Sequence, residues 1–205
     1  MPSSGQGAGK HRIGIIVGSL RRDSFNRRIA RSIAAIAGDW LDCEFIEIGD
    51  LPLYNQDDDG NPAPAVVAFR DRVRAVDGIL FVSPEYNRGI PGVLKNAIDI
   101  GSRPYGQSVW DKKPAAVVTA SPGAIGGFGS NHQLRQSAVF LNMPMMQQPE
   151  SYLGHITDES FEADGQLKAG PLKDLVTKMA HAFADWIDLM VRGRKLIAED
   201  PAHGR

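Results

Sequence analysis

The segment Gly18-Ser19-Leu20-Arg21-Arg22-Asp23-Ser24-Phe25-Asn26 brings two hydroxyls, a guanidinium and a glycine to the start of a helical pattern. That combination suits a phosphate. Gly18 lets the backbone turn tightly, Ser19 and Ser24 donate, Arg21 offers a charged fork, and the free amides of a helix start add the positive end of a dipole. The same residues would also make an ordinary helix start, with Ser24 or Asn26 as its cap and Arg21 and Arg22 solvated. Two nucleotide motifs are disfavoured: the segment lacks the Gly-Lys-Ser/Thr ending of a Walker loop and the three glycines of a dinucleotide fingerprint.

A second unusual stretch is Ser83-Pro84-Glu85-Tyr86-Asn87-Arg88-Gly89-Ile90-Pro91-Gly92. A proline-stiffened turn carrying Tyr and Asn can offer an aromatic surface and backbone hydrogen bonds to a planar heterocycle. Tyr86 would equally serve to cover the end of a core. The third is Ser121-Pro122-Gly123-Ala124-Ile125-Gly126-Gly127-Phe128-Gly129, whose glycines allow backbone to approach a flat ring closely. Flexible-loop chemistry accounts for it as well in isolation, so the weight lies in finding all three on one edge of one sheet.

The elements that must position these loops alternate along the chain. Continuous apolar runs at Ile13–Val17, Cys43–Ile48, Gly78–Val82 and Ala115–Ala120 read as strands buried on both faces. Helical spacing appears from about Asn26 to Ala37, Pro64 to Val76, Pro91 to about Arg103, and about Asn131 to Leu141. Met145–Gln148 reads as a weaker fifth strand, continued by Ser151–His155, and Leu172 to Met190 carry a last helix whose apolar stripe is core or subunit contact. The expected fold is therefore α/β, a flavodoxin-like doubly wound five-stranded parallel sheet in the order 2-1-3-4-5 with helices on both faces. In such a sheet the crevice opens where the winding reverses, at the carboxyl ends of strands one and three. Val17 and Val82 end those strands, and the first two loops follow them.

With 205 residues and 42% of them hydrophobic, the chain is long enough for one buried core and short for two domains. Residues 11–192 are expected as the domain, with tails at 1–10 and 193–205. A net charge of -1 gives no field to draw in nucleic acid or an anionic membrane, and no apolar run approaches the roughly 20 residues needed to span a bilayer. Cys43 is the single cysteine, which precludes an intramolecular disulfide and points to the cytoplasm; its apolar setting suggests a buried strand thiol rather than a nucleophile. His11, His132, His155, His181 and His203 are scattered without metal-binding spacing, so no metal is expected.

Gly18-Ser19-Leu20-Arg21, Ser24-Phe25-Asn26, Pro84-Glu85-Tyr86-Asn87 with Pro91-Gly92, and Leu94-Lys95-Asn96-Ala97-Ile98-Asp99 together resemble the NADPH-dependent FMN reductase family, including its quinone and chromate reductases. Leu51–Asp57 and Ser121–Gly127 also look like family segments. The resemblance implies that Ser19, Arg21, Ser24, Phe25 and Asn26 hold the FMN phosphate. It implies that Pro84, Glu85, Tyr86 and Asn87 line the isoalloxazine ring and that Ser121 and Gly123 close the site. Many relatives have an aromatic or small polar residue where this chain has Arg88.

The resemblance further implies NADPH or NADH as co-substrate, small-molecule electron acceptors (quinones, free flavin, azo compounds, metal oxyanions such as chromate) and a homo-oligomer, dimer or tetramer. A ping-pong order is expected, with the catalytic chemistry carried by the flavin. Arg88, Arg103 and Arg135 are candidates for an NADPH phosphate, ordinary surface or interface placement being the plainer reading of each. Glu150 is a candidate to pair with Arg88 of a neighbouring subunit. The rival reading is a flavodoxin-type electron carrier without NAD(P)H activity of its own.

Overall fold

A computed structural model describes residues 9–200. The strands β1 (His11–Val17), β2 (Leu41–Phe45), β3 (Gly78–Ser83), β4 (Ala115–Ala120) and β5 (Tyr152–Leu153) form one sheet in the order β2-β1-β3-β4-β5. All pairings are parallel, with Val17 opposite Val82 and Val82 opposite Val118. The helices are α1 (Phe25–Ala37), α2 (Pro64–Ala75), α3 (Gly92–Gly101), α4 (Phe128–Phe140) and α5 (Pro171–Glu199).

The apolar runs are continuous because both faces of each central strand are covered. Ile13, Ile15 and Val17 pack with Ile29 and Ile33 of α1 and with Val176, Met179 and Phe183 of α5. Ile16, Ile79 and Phe81 face the other way, against Phe69 and Val73 of α2, Leu94 and Ile98 of α3, and Leu134 of α4. Alternate residues thus go to opposite cores, which locks the register of each strand.

Several boundaries differ from the sequence-based expectation. Met145–Gln148 does not form the fifth strand: Met145 makes only an isolated bridge to Ala115, and β5 is Tyr152–Leu153. Pro144 and Pro149 flank that segment and supply no amide for a ladder. β2 ends at Phe45 rather than Ile48, although Ile46 still donates its amide to Ile15. Helix α4 starts at Phe128, three residues ahead of Asn131, because its first turn finds an acceptor from outside the helix. Residues 193–199, expected as tail, belong to α5, whose exposed end carries the i,i+4 pairs Arg192–Asp188 and Lys195–Glu199 on either side of Gly193. Residues 1–8 and 201–205, the remainder of the two expected tails apart from Gly9, Lys10 and Asp200, lie outside the described residues.

Cys43 sits on β2, where burial pushes its thiol up to about 11, so it is protonated at neutral pH. Among the described residues no helix is long and apolar enough to cross a membrane.

Candidate active site

The turn after β1 is shaped by close packing. Gly18 donates its amide to Val82 O at 2.9 Å, and a Cβ at Gly18 would lie 2.5 Å from Ser83 Oγ and 2.9 Å from Leu94 Cδ2. A side chain there would have to displace Ser83 or Leu94. Ser19 follows, buried, its hydroxyl accepting the Arg21 amide at 3.4 Å.

Ser24 is the N-cap of α1: it has extended backbone, and its hydroxyl accepts from the Arg27 amide at 3.3 Å. The cap and the phosphate readings of Ser24 are therefore compatible, since one lone pair holds the helix while the hydroxyl hydrogen remains for a ligand. The first turn of α1 contains no acidic residue, so no carboxylate within the helix offsets the positive end of its dipole. Arg21 is exposed, has no ion-pair partner among the described residues, and lies over the Phe25 ring at 5.5 Å. Phe25 in turn stacks on Phe161, with centroids 6.1 Å apart. By contrast, Arg27 is engaged by Glu47 at 2.6 Å and Arg28 by Asp158 at 2.6 Å, and the exposed Arg22 lies 3.9 Å from Asp23, so Arg21 is the cation at this turn without an acidic partner among the described residues.

Asn26 ties this turn to β4. Its Nδ2 donates to Ala120 O at 3.1 Å, while Oδ1 is buried with no partner in the protein. A buried amide oxygen without a donor is costly, which makes it an acceptor for a bound hydroxyl or amide.

The loop after β3 contains a tight turn. Tyr86 and Gly89 exchange both backbone hydrogen bonds, at 3.1 and 2.9 Å, around Asn87 and Arg88, whose φ values of 50° and 66° are left-handed. Asn tolerates that conformation well and Arg does so at a cost. Tyr86 is 54% exposed, which offers an aromatic surface to a ligand.

One cavity of about 130 Å³ gathers Ser19, Arg21, Ser24, Phe25, Asn26, Pro84, Glu85, Tyr86 and Ser121, together with Ala120 and Pro122. Asn87 and Gly123 do not line it. Asn87 is taken up by the turn, and Gly123 by the loop after β4, where its amide donates to Ser121 Oγ at 3.1 Å and its carbonyl accepts from His155. Ala120 and Pro122 carry no functional group, so nothing in their residue types could have singled them out; they enter as the end of β4.

A second cavity, of about 240 Å³, lies between α2, α3 and the segment from Pro52 to Ala63. Its polar groups are largely engaged: Arg70 donates to Ile100 O and Gln107 O, and the Tyr54 hydroxyl donates to Asp59. Arg103 lines this cavity, over the Tyr54 ring, and Arg135 donates to Asn131 and Met146 O. Neither reaches the cavity at the strand ends. Within the chain Arg88 lies 3.4 Å from Glu85, and Glu150 accepts from the Tyr152 hydroxyl.

The family model for NADPH-dependent FMN reductase matches residues 11–158. A quinone reductase of Pseudomonas putida KT2440 is 52% identical over 178 residues, covering 86% of this chain and 95% of that protein. A 2-hydroxy-1,4-benzoquinone reductase of a Burkholderia species is 42% identical over 177 residues, covering 86% and 96%. Among solved structures, the flavoenzyme NAD(P)H:(acceptor) oxidoreductase FerB of Paracoccus denitrificans superposes with a TM-score of 0.83 at 37% identity, covering 87% of this chain and 97% of that one. With its sheet order, its cavity at the strand ends and these relatives, the chain belongs to the NADPH-dependent FMN reductase family.

Proposed function

We propose that this protein is an FMN-dependent NAD(P)H oxidoreductase whose preferred acceptors are quinones. The observation that carries the reading is the gathering of Ser19, Arg21, Ser24 and the start of α1 in one cavity with the Tyr86 loop. The residues fit FMN: the first group suits its phosphate, the unpartnered Asn26 Oδ1 offers an acceptor to its polar chain, and Tyr86 flanks a planar ring. Bound flavin supplies the two-electron chemistry.

The protein's contribution is placement. Ser19, Arg21 and Ser24 anchor the phosphate, Pro84 to Tyr86 set the plane of the ring, and Ser121 bounds the β4 side. The cavity of about 130 Å³ is smaller than the roughly 300 Å³ of a typical cofactor pocket, and Tyr86 is exposed, which supports a ring held with one face open to solvent. Nicotinamide and acceptor then use that face in turn. Parallel double-reciprocal lines with NADPH and a benzoquinone are expected, and intersecting lines would overturn the shared-face order. An open face also admits free flavin, azo compounds and chromate as slower acceptors. A second copy of the chain would complete the shelter of the ring, giving a dimer or tetramer in solution. The single cysteine suits a cytoplasmic protein.

The deciding experiment mixes the FMN-loaded protein with NADPH without oxygen. Prompt loss of the oxidised flavin's visible absorption is expected; flavin that stays oxidised would make the protein an electron carrier instead.

A further inference from the structure

The loop that carries Tyr86 is fastened to α4, an element that begins 42 residues after it. Glu85 is almost covered, with 10% of its side chain exposed, and its Oε2 accepts the Ser130 amide at 3.1 Å. Helix α4 has Gly127 as its N-cap, in left-handed conformation and with no side-chain cap of its own. The Glu85 carboxylate therefore caps α4 from another loop, at the end of the helix that favours negative charge. In the reverse direction, Gln133 of α4 reaches back, and its Oε1 accepts the Ile90 amide at 3.1 Å.

Close approach between the two segments supports this pairing. A Cβ at Gly129 would lie 2.7 Å from Arg88 O and 2.9 Å from Glu85 Oε2, so the helix start can sit on the loop only with glycine there. Between the two contacts lies the Tyr86–Gly89 turn, with Asn87 and Arg88 held left-handed. Isolated from α4, a six-residue segment with two such residues has many other conformations open to it, and the order would have to be recovered on ligand binding.

We propose that Glu85 and Gln133 form a reciprocal latch that sets the Tyr86 edge of the flavin site before flavin arrives. Glu85 is then a positioning residue and its carboxylate is turned to α4, while Gln133 is a positioning residue that touches no ligand. The inference rests on the flavin reading of the cavity for its consequence, and on the two hydrogen bonds for its existence.

Both parts are testable on the full-length protein. In the flavin-free state, amide hydrogen exchange at Ser130 and Ile90 is expected to be slow in the wild type and faster in Glu85→Ala and Gln133→Ala. Rapid exchange at these amides in the wild type would overturn the latch whatever binds in the cavity. Flavin affinity is read by fluorescence quenching with two probes, FMN and riboflavin, the latter lacking the phosphate. Glu85→Ala should weaken both by about tenfold, the scale of a lost helix cap, and Gln133→Ala by about threefold, the scale of one neutral hydrogen bond. Glu85→Gln retains an oxygen able to accept from Ser130 and should restore most of the affinity. The double Ala variant should lose less than the product of the two single losses, because one broken contact already frees the loop. A loss confined to FMN, Glu85→Gln as weak as Glu85→Ala, or Ala variants equal to wild type would each overturn the proposal. Failure of the wild type to bind either flavin would instead sink the flavin reading, with the exchange data still deciding the latch.

Discussion

The turn after β1 and the loop after β3 follow adjacent strands of one sheet, yet they are held by different means. Backbone packing shapes the first: Gly18 is wedged against Ser83 and Leu94, and the helix cap lies only a few residues further along the chain. Contacts with a distant helix hold the second: the Glu85 carboxylate accepts the Ser130 amide, and the Gln133 side chain accepts the Ile90 amide. On the proposed reading, the packed turn would take the phosphate and the latched loop would take the ring.

Substitutions can break this contrast, most strongly at the phosphate end. Arg21→Ala should weaken FMN by about 1.5–3 kcal/mol, the range for a hydrogen bond to a charged group, while leaving riboflavin affinity within a factor of about two. Equal losses for both flavins in a binding titration would remove Arg21 from the phosphate. Gly18→Ala forces a methyl group into a filled space and should destabilise the fold by about 1–3 kcal/mol, with reduced flavin content after purification. Urea melts unchanged from wild type would show that Ser83 and Leu94 can give way.

At the ring end the expected effects are smaller. Arg88→Gly removes a side chain from left-handed backbone and from the neighbourhood of Glu85; relief of strain should stabilise the protein by up to about 1 kcal/mol in thermal unfolding, and a loss of stability would mean that the Arg88–Glu85 contact outweighs the strain. The smallest effect concerns pH. The Arg27 guanidinium holds the Glu47 carboxyl below its ordinary range, chiefly through their hydrogen bond. A lowered folded-state pKa means stability that is present above the unfolded value of about 4.3 and is lost as pH falls through the lowered one. The pair is exposed, so its worth is a few tenths of a kcal/mol. Glu47→Gln should slightly flatten the acid limb of the stability profile and leave flavin affinity alone; a change in affinity would show that Arg27 also serves the site.

Much of the architecture is legible in the sequence because its causes are local. Ile13–Val17 and Gly78–Val82 are unbroken apolar runs, as strands covered on both faces must be, and the helix of Val176, Met179 and Phe183 follows its own period. Met145–Gln148 misled because its apolar character serves the core through a single bridge, without a ladder. Asn87 is expected from the resemblance to line the ring; the structure adds that it holds left-handed backbone in the Tyr86–Gly89 turn, outside the lining of the cavity, a role no local pattern announces. The start of α4 was placed too late because its cap comes from Glu85, outside any local window.

The order of residue types along the chain determined the alternation of strands and helices, the positions of the three loops and the chemistry each could offer, since these depend on periodicity and on neighbours within a few residues. Tertiary structure alone decided that Asn26 would meet Ala120, that Glu85 would turn to Ser130 and that Gln133 would reach Ile90. Such contacts join a single side chain to backbone tens of residues away, and they leave no repeating pattern in the sequence by which they could be foreseen.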